Sequence, residues 1–326
     1  MKRRKLISLV GAATSWPFAA DAQQPAMPVI GYLSSRGASD SAVPVAAFRK
    51  ALNSAGYVEN RNVMIEYRWA EGKYERLPEM AADLVGRQVT VIVAAGGEPS
   101  AFAAKGATST IPIVFSVGGD PVKAGLVSSY GRPGGNITGI SLLTTAPEAK
   151  RLGLLHDFVP KASIIGILIN PSYQEAGAQA HELEEGARTL GLQIRILHAN
   201  NPTELEVAFK SFVQERVDAL LVTAAPFFDT MRDRIVSFAA QNSLPAIYQF
   251  REYVVAGGLM SYGISLSDGY RWVGDYTGRL LKGAKPPDLP IVQSIKFEFI
   301  LNQKTAKTLG IEVPPLLLAR VDEVIE

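Results

Sequence analysis

The sequence has no cysteine, only three histidines, no cluster of like charges beyond its first five residues and no apolar run as long as a permanent membrane span. Each of these absences removes a class of protein. Without cysteine there is neither a disulfide framework nor a lipid-modified cysteine, so an exported form is expected to be free in its compartment and not membrane-anchored. His156, His181 and His198 are too dispersed in sequence to suggest a metal set. No Gly-x-Ser-x-Gly elbow is present for a serine hydrolase. Gly134 to Gly139 fits neither dinucleotide nor Walker spacing and reads as a turn. No cofactor, no metal and no catalysis are therefore expected. Lys and Arg stand singly among acids and form no stripe that would hold a nucleic acid.

What is present begins with Lys2, Arg3, Arg4 and Lys5, followed by an uncharged stretch from Leu6 to Ala20 and then Asp21-Ala22. That order is the pattern of a secretory signal peptide over residues 1–22, with cleavage expected after Ala22. The apolar part is 15 residues, short of the roughly 20 that span a bilayer. Arg3-Arg4 fits both a twin-arginine signal and a general basic leader, so either export route is open. The remaining 304 residues carry 29 Lys and Arg against 30 Asp and Glu, so the basicity of the whole belongs to the leader. A chain of that length exceeds what one core usually serves, and two lobes are expected.

The pattern then repeats. Val29 to Leu33 is a short apolar run followed by helical spacing from Val45 to Leu52 and a stop at Gly56; Ile164 to Leu168 is followed by a helical stretch that stops at Gly191. Gly31 to Gly56 and Gly166 to Gly191 are both 25 residues apart. Further strands pair off in the same order: Val63 to Tyr67 with Ile194 to Leu197, Val89 to Ala95 with Val217 to Ala224, and Ile111 to Phe115 with Leu244 to Tyr248. Two α/β half-chains of one topology with parallel sheets follow from this, and their ligand sites belong beyond the carboxyl ends of the strands. Gly257 to Tyr262 reads as a connection and Leu266 to Leu281 as a helix. Phe297 to Leu301 reads as a strand and Thr305 to Leu309 as a short helix. One lobe is expected to hold 23–141 and about 257–292, the other 142–256 and about 293–326.

Asp120-Pro121-Val122-Lys123-Ala124-Gly125-Leu126-Val127 and Arg132-Pro133-Gly134-Gly135-Asn136-Ile137-Thr138-Gly139 resemble segments of the ABC transporter substrate-binding proteins related to tryptophan- and tyrosine-type systems. The resemblance continues through Pro245 to Glu252 and Ala256 to Gly263 to the closing Asp322-Glu323-Val324-Ile325, covering nearly all of the chain after the leader. It implies a type I periplasmic-binding-protein fold, two Rossmann-like lobes joined by a three-crossover hinge. It also implies a periplasmic monomer that delivers a small-molecule ligand to an ABC permease in the inner membrane. A sensing subunit for a membrane receptor would use the same cleft.

Candidate ligand contacts lie at strand ends. Ser34, Ser35 and Asn170 follow the first strand of each half, where they either cap the next helix or face the ligand, and the two roles are compatible. Gly96 and Gly97 let backbone approach a ligand, and Ser100 offers an N–H and a hydroxyl. Relatives usually have a small hydroxyl residue or Gly where Glu98 stands, and their loop is expected to hold a ligand carboxylate; Glu98 would repel one unless it turns away. Ser116 and Asp120 sit at the mouth, Asp120 also being suited to cap a helix begun by Pro121. In the second half Tyr173, Phe227, Gln249 and Tyr262 supply rings and an amide, for ligand or for packing between lobes. Asp268 either pairs with a ligand amine or caps its helix. The expected ligand is a planar or aromatic carboxylate, an aromatic amino acid among them, with aliphatic amino acids and sugars next.

Overall fold

Apolar β-branched runs form the strands of this computed structural model, which describes residues 27–144, 147–293 and 296–326. The expected leader, 1–22, lies outside them. The first half runs β1 (Val29–Ser34), α1 (Ala42–Ser54), β2 (Met64–Trp69), α2 (Leu77–Gly86), β3 (Val91–Ala95), α3 (Glu98–Ala107), β4 (Ile113–Val117) and β5 (Ile137–Ser141). The second opens with α4 (Glu148–Phe158) and continues as β6 (Ile164–Ile169), α5 (Ala176–Leu190), β7 (Gln193–His198), α6 (Pro202–Gln214) and β8 (Ala219–Val222). It closes with α7 (Pro226–Thr230), α8 (Arg232–Gln241), β9 (Ala246–Tyr248), α9 (Arg251–Val255) and β10 (Met260–Ile264). The tail is α10 (Leu266–Leu281), β11 (Val292–Gln293), β12 (Phe297–Asn302), α11 (Gln303–Thr308), α12 (Pro315–Leu318) and β13 (Glu323–Ile325).

Two sheets result, ordered β11-β5-β4-β3-β1-β2 and β13-β12-β10-β9-β8-β6-β7. Every pairing is parallel except β10 with β12. The order β2-β1-β3-β4-β5 recurs as β7-β6-β8-β9-β10, so the repeat has five strands per half and not four. The fifth strands are what the glycine-rich segments conceal: Ile137–Ser141 overlaps the expected turn, and Met260–Ile264 overlaps the expected connection.

That correction moves a crossing point. Because β10 pairs with β9 and β12, the chain stays in the second lobe until Ile264 and returns at Ser265, not near 257. Helix α10 then packs along α1 and under β3, β4 and β5 of the first sheet. After β11 joins β5, the chain passes back to add β12 and β13 to the second sheet. It thus crosses between the lobes three times, after β5, after β10 and after β11.

The lobes are closed against each other. One apolar cluster runs without a break from Tyr32 and Phe48 in the first lobe through Tyr173 and Phe227 to Phe228 and Tyr248 in the second. Separate clusters fill the outer faces of the two sheets, around Leu84 and Phe115 in one and Leu155 and Ile167 in the other. None of the described helices is long and apolar enough to cross a membrane.

Candidate functional site

Both sheets aim the carboxyl ends of their strands at the interface, and the segments leaving those strands carry buried polar groups. Between them remains a void of about 20 Å³ lined by Gly96, Ser116, Tyr173, Pro226, Phe250 and Tyr270 among others. This is room for about one water molecule. A ligand the size of an amino acid enters only by parting the contacts that now bridge the lobes.

Among the described residues three polar contacts bridge the lobes. Arg36, just past β1, meets Asp229 of α7 at 2.7 Å, with side chains only 7% and 8% exposed. Glu98 at the start of α3 accepts the hydroxyl of Tyr173 at 2.6 Å. The Phe227 N–H donates to the hydroxyl of Tyr74 at 3.1 Å. Burial first, and the Glu98 charge next, hold the Tyr173 phenol protonated, which makes it the donor. The other Glu98 oxygen accepts the N–H of Gly119 at 2.6 Å. Glu98 thus neither points at solvent nor stands bare in the cleft, being satisfied from both lobes.

The other expected contacts divide. Ser34 accepts the N–H of Arg36, and Ser35 donates to the carbonyl of Gly96, so the two serines shape the loops and pin them together. Gly96 and Gly97 have φ of 83° and 105°. A Cβ on Gly97 would press on Pro226 across the cleft at 3.2 Å, so this approach needs glycine. Ser116 lies 3.3 Å from the Tyr270 hydroxyl, which also accepts the N–H of Gly96. Asn170 accepts from Ser172 through Oδ1, while its buried Nδ2 finds no protein partner. Gln249 donates to Asp229 at 2.8 Å and leaves its Oε1 without a protein partner. Phe227 is buried between the lobes, with its ring against Gly72.

Of the fourteen expected contacts Gly96, Gly97, Ser116 and Tyr173 line the void, Ser34, Ser35, Glu98, Asn170, Phe227 and Gln249 stand behind that lining, and the other four are held elsewhere. Ser100 is fully buried in α3 and does not line the void. Asp120 accepts from Val122 and Lys123 and organises a run of turns, because Pro121 begins no helix. Tyr262 stacks on Phe297 at 5.7 Å, since its strand pairs antiparallel with β12. Asp268 forms an ion pair with Arg271 at 2.7 Å in a groove between α1 and α10, on the outside of the lobe. In their place stand Arg36, Asp229, Phe250 and Tyr270, which the sequence reading did not single out. The available signal was an opposite charge just beyond β1 and beyond β8, at the carboxyl ends of strands in the two halves.

Glu175, leading into α5, faces Gly119 of the opposite lobe. Burial pushes its carboxyl up, the charges of Glu98 and Asp120 add to this, and Lys123 opposes it. Opening the lobes relieves the burial and separates the acids, so protonated Glu175 favours closure. A raised value in the closed form means that this advantage is complete below the ordinary carboxyl range and fades as pH rises through the raised value. Lowering pH from about 8 to about 4.5 is expected to shift the protein toward the closed form. Scattering radii across that range should show the shift, and Glu175→Gln should flatten it; an unchanged pH response in the variant would refute the assignment.

A family model described as ABC transporter substrate binding protein matches residues 38–325. A tyrosine-binding protein of Clostridioides difficile is 30% identical over 266 residues, covering 81% of this chain and 76% of the relative. A Streptococcus pneumonia ABC domain solved in complex with L-Trp is 25% identical, with TM-score 0.81 over 91% of this chain and 99% of that one. The ligand-free, open structure of a substrate-binding protein with adhesive properties from Clostridium difficile is 26% identical over the same shares, with TM-score 0.63. Sequence distance and coverage are alike for the two structures, and the overlap is greater with the L-Trp complex than with the open one.

Proposed function

As the chain belongs to the ABC transporter substrate-binding protein family, we propose that it captures an aromatic amino acid in the interlobe cleft and presents it to an inner-membrane permease. The observation that carries this reading is the composition of the cleft, where polar groups from both lobes and the rings of Tyr173, Phe250 and Tyr270 surround one void. Rings of that kind stack on a planar side chain, and convergent polar groups fix its backbone end. The relatives bound to tyrosine by name and to L-Trp in structure support the same class.

The role is capture of a solute, in keeping with the family to which the chain belongs. The protein acts in the periplasm after loss of residues 1–22, and intact mass of the periplasmic form should place Gln23 first.

Calorimetry and thermal melting with aromatic acids, aromatic and aliphatic amino acids and sugars test the ligand. L-tyrosine or L-tryptophan at a hundred times its Kd is expected to add about 2.7 kcal/mol to the folded state. Tight binding of a sugar with no response to any carboxylate would refute the aromatic assignment.

A further inference from the structure

Among the described residues lining the void, Arg36 is the single cation and Asp229 the single acid, and they come from opposite lobes. Resting on the reading of an amino-acid ligand, we infer that Arg36 and Asp229 are the counter-charges of the ligand's α-carboxylate and α-ammonium. The ion pair they form with each other in the closed protein is exchanged for the zwitterion.

The first support is the arrangement of free valences. Arg36 Nε is buried without a protein partner, so the first lobe keeps a donor at the void. On the second lobe Asp229 is held by Gln249 Nε2 at 2.8 Å and Tyr253 Oη at 3.2 Å, while Gln249 Oε1 is a buried acceptor without a protein partner. At Arg36 and Gln249 a free donor of the first lobe thus stands opposite a free acceptor of the second, which is the polarity of a carboxylate and an ammonium. The Arg36 guanidinium also lies 5.5 Å from the centre of the Phe250 ring, which fixes its plane while Asp229 is exchanged.

The second support is exclusion. Glu98, the first residue of α3, already sets a carboxylate beside the loop ahead of that helix, held by the N–H of Gly119 after β4 and the hydroxyl of Tyr173. A ligand carboxylate placed there would meet that charge. The Asp268 side chain, the other acid considered for an amine, pairs with Arg271 on the outer face. Arg36 and Asp229 are left as the seats.

The exchange also yields selectivity. A zwitterion re-pairs both buried charges when it parts them, whereas an amine leaves Arg36 unpaired and an acid leaves Asp229 unpaired. An uncompensated buried charge is strongly unfavourable, so both analogues are rejected even though their rings fit.

The test uses the mature protein and calorimetry with L-tyrosine and L-tryptophan beside tyramine, tryptamine, 3-(4-hydroxyphenyl)propanoate and indole-3-propanoate. Loss of either charged group is expected to weaken binding by about a hundredfold or more, as for one broken buried charge pair. In Arg36→Met the gap between amino acid and amine should close, and in Asp229→Asn the gap between amino acid and acid should close. A merely structural role would weaken all ligands alike and leave both gaps standing. The exchange R36D/D229R keeps a cross-lobe pair, so it is expected to melt near the parent and yet to lose amino-acid binding. Analogues that bind the parent within about threefold of the amino acid would overturn the inference while leaving the capture of an aromatic solute intact. Rejection of aromatic amino acids, with another α-amino acid bound and both of its charges required, would support the inference and overturn the aromatic reading.

Discussion

Replacing Arg151 by methionine is expected to destabilise the protein by about 3 to 5 kcal/mol, the range for breaking a buried ion pair from one side. Arg151 and Glu148 are both fully buried in α4, with 2.6 Å between guanidinium and carboxylate. The guanidinium also donates to the carbonyls of Thr144 at 3.1 Å and Tyr262 at 3.2 Å. Glu148 accepts in addition from Gln179 at 3.3 Å. One side chain therefore ties the first crossing, at Thr144, to the strand that precedes the second. Without it a carboxylate remains in a site where burial already pushes its carboxyl up, and two carbonyls lose their donor. The loss should shrink as pH falls, because a protonated Glu148 carries no buried charge. Glu148→Gln combined with Arg151→Met should be less damaging than Arg151→Met alone, by the coupling that a double-mutant cycle reads. Urea midpoints within experimental error of the parent for Arg151→Met would refute the argument.

The second large effect is expected at Gly263, and its counterpart is Gly139. They lie in β10 and β5, the fifth strands of the two halves. A Cβ on Gly263 would overlap the carbonyl oxygen of Gln249, and one on Gly139 would overlap the carbonyl oxygen of Phe115. Backbone oxygens in a strand, as at Phe115, or directly after one, as at Gln249, cannot rotate away as a side chain can, so the backbone itself must shift. Overpacking of this kind costs about 3 kcal/mol, at the upper end of the usual range or beyond it. The shift at Gly263 also displaces Gln249, which holds Asp229. Gly263→Ala should therefore lower both melting temperature and ligand affinity, while Gly139→Ala should lower mainly the former. Native melting of both variants would show that the sheets yield more easily than their geometry implies.

These glycines also explain what the sequence concealed. The first four strands of each half announce themselves through Val, Ile and Leu, and the equal spacing of Gly31 to Gly56 and Gly166 to Gly191 made the repeat visible. Met260-Ser261-Tyr262-Gly263-Ile264 lacks that signature because Gly263 must clear a neighbouring backbone and Ser261 is buried against β9. Close packing there selected small residues over residues that favour strands. The site was legible by region and only in part by residue. Strand ends pointed to Ser34, Ser35, Gly96, Gly97, Ser116, Tyr173 and Gln249, all near the interface. Ser100 and Tyr262 stood at comparable ends but turn into a helix and onto another strand, which depends on packing partners far away in sequence. Arg36 and Asp229 were hidden for a further reason. A single charge in a loop is ordinarily solvated, and these two are buried only because they meet each other, 193 positions apart by number.

The three passages between lobes also set an order of assembly. The first sheet needs α10 and β11, which begin 125 and 151 positions after the end of β5, and the second needs β12 and β13, which come later still. Neither lobe is complete when its leading half has been synthesised. A nascent chain ending near Ile264 would bare the face of α1 and the underside of β3 to β5 that α10 covers, a sticky surface of the sort that chaperones recognise. The segment that follows β10 thus finishes both lobes, and docking of the pair is a late step by construction.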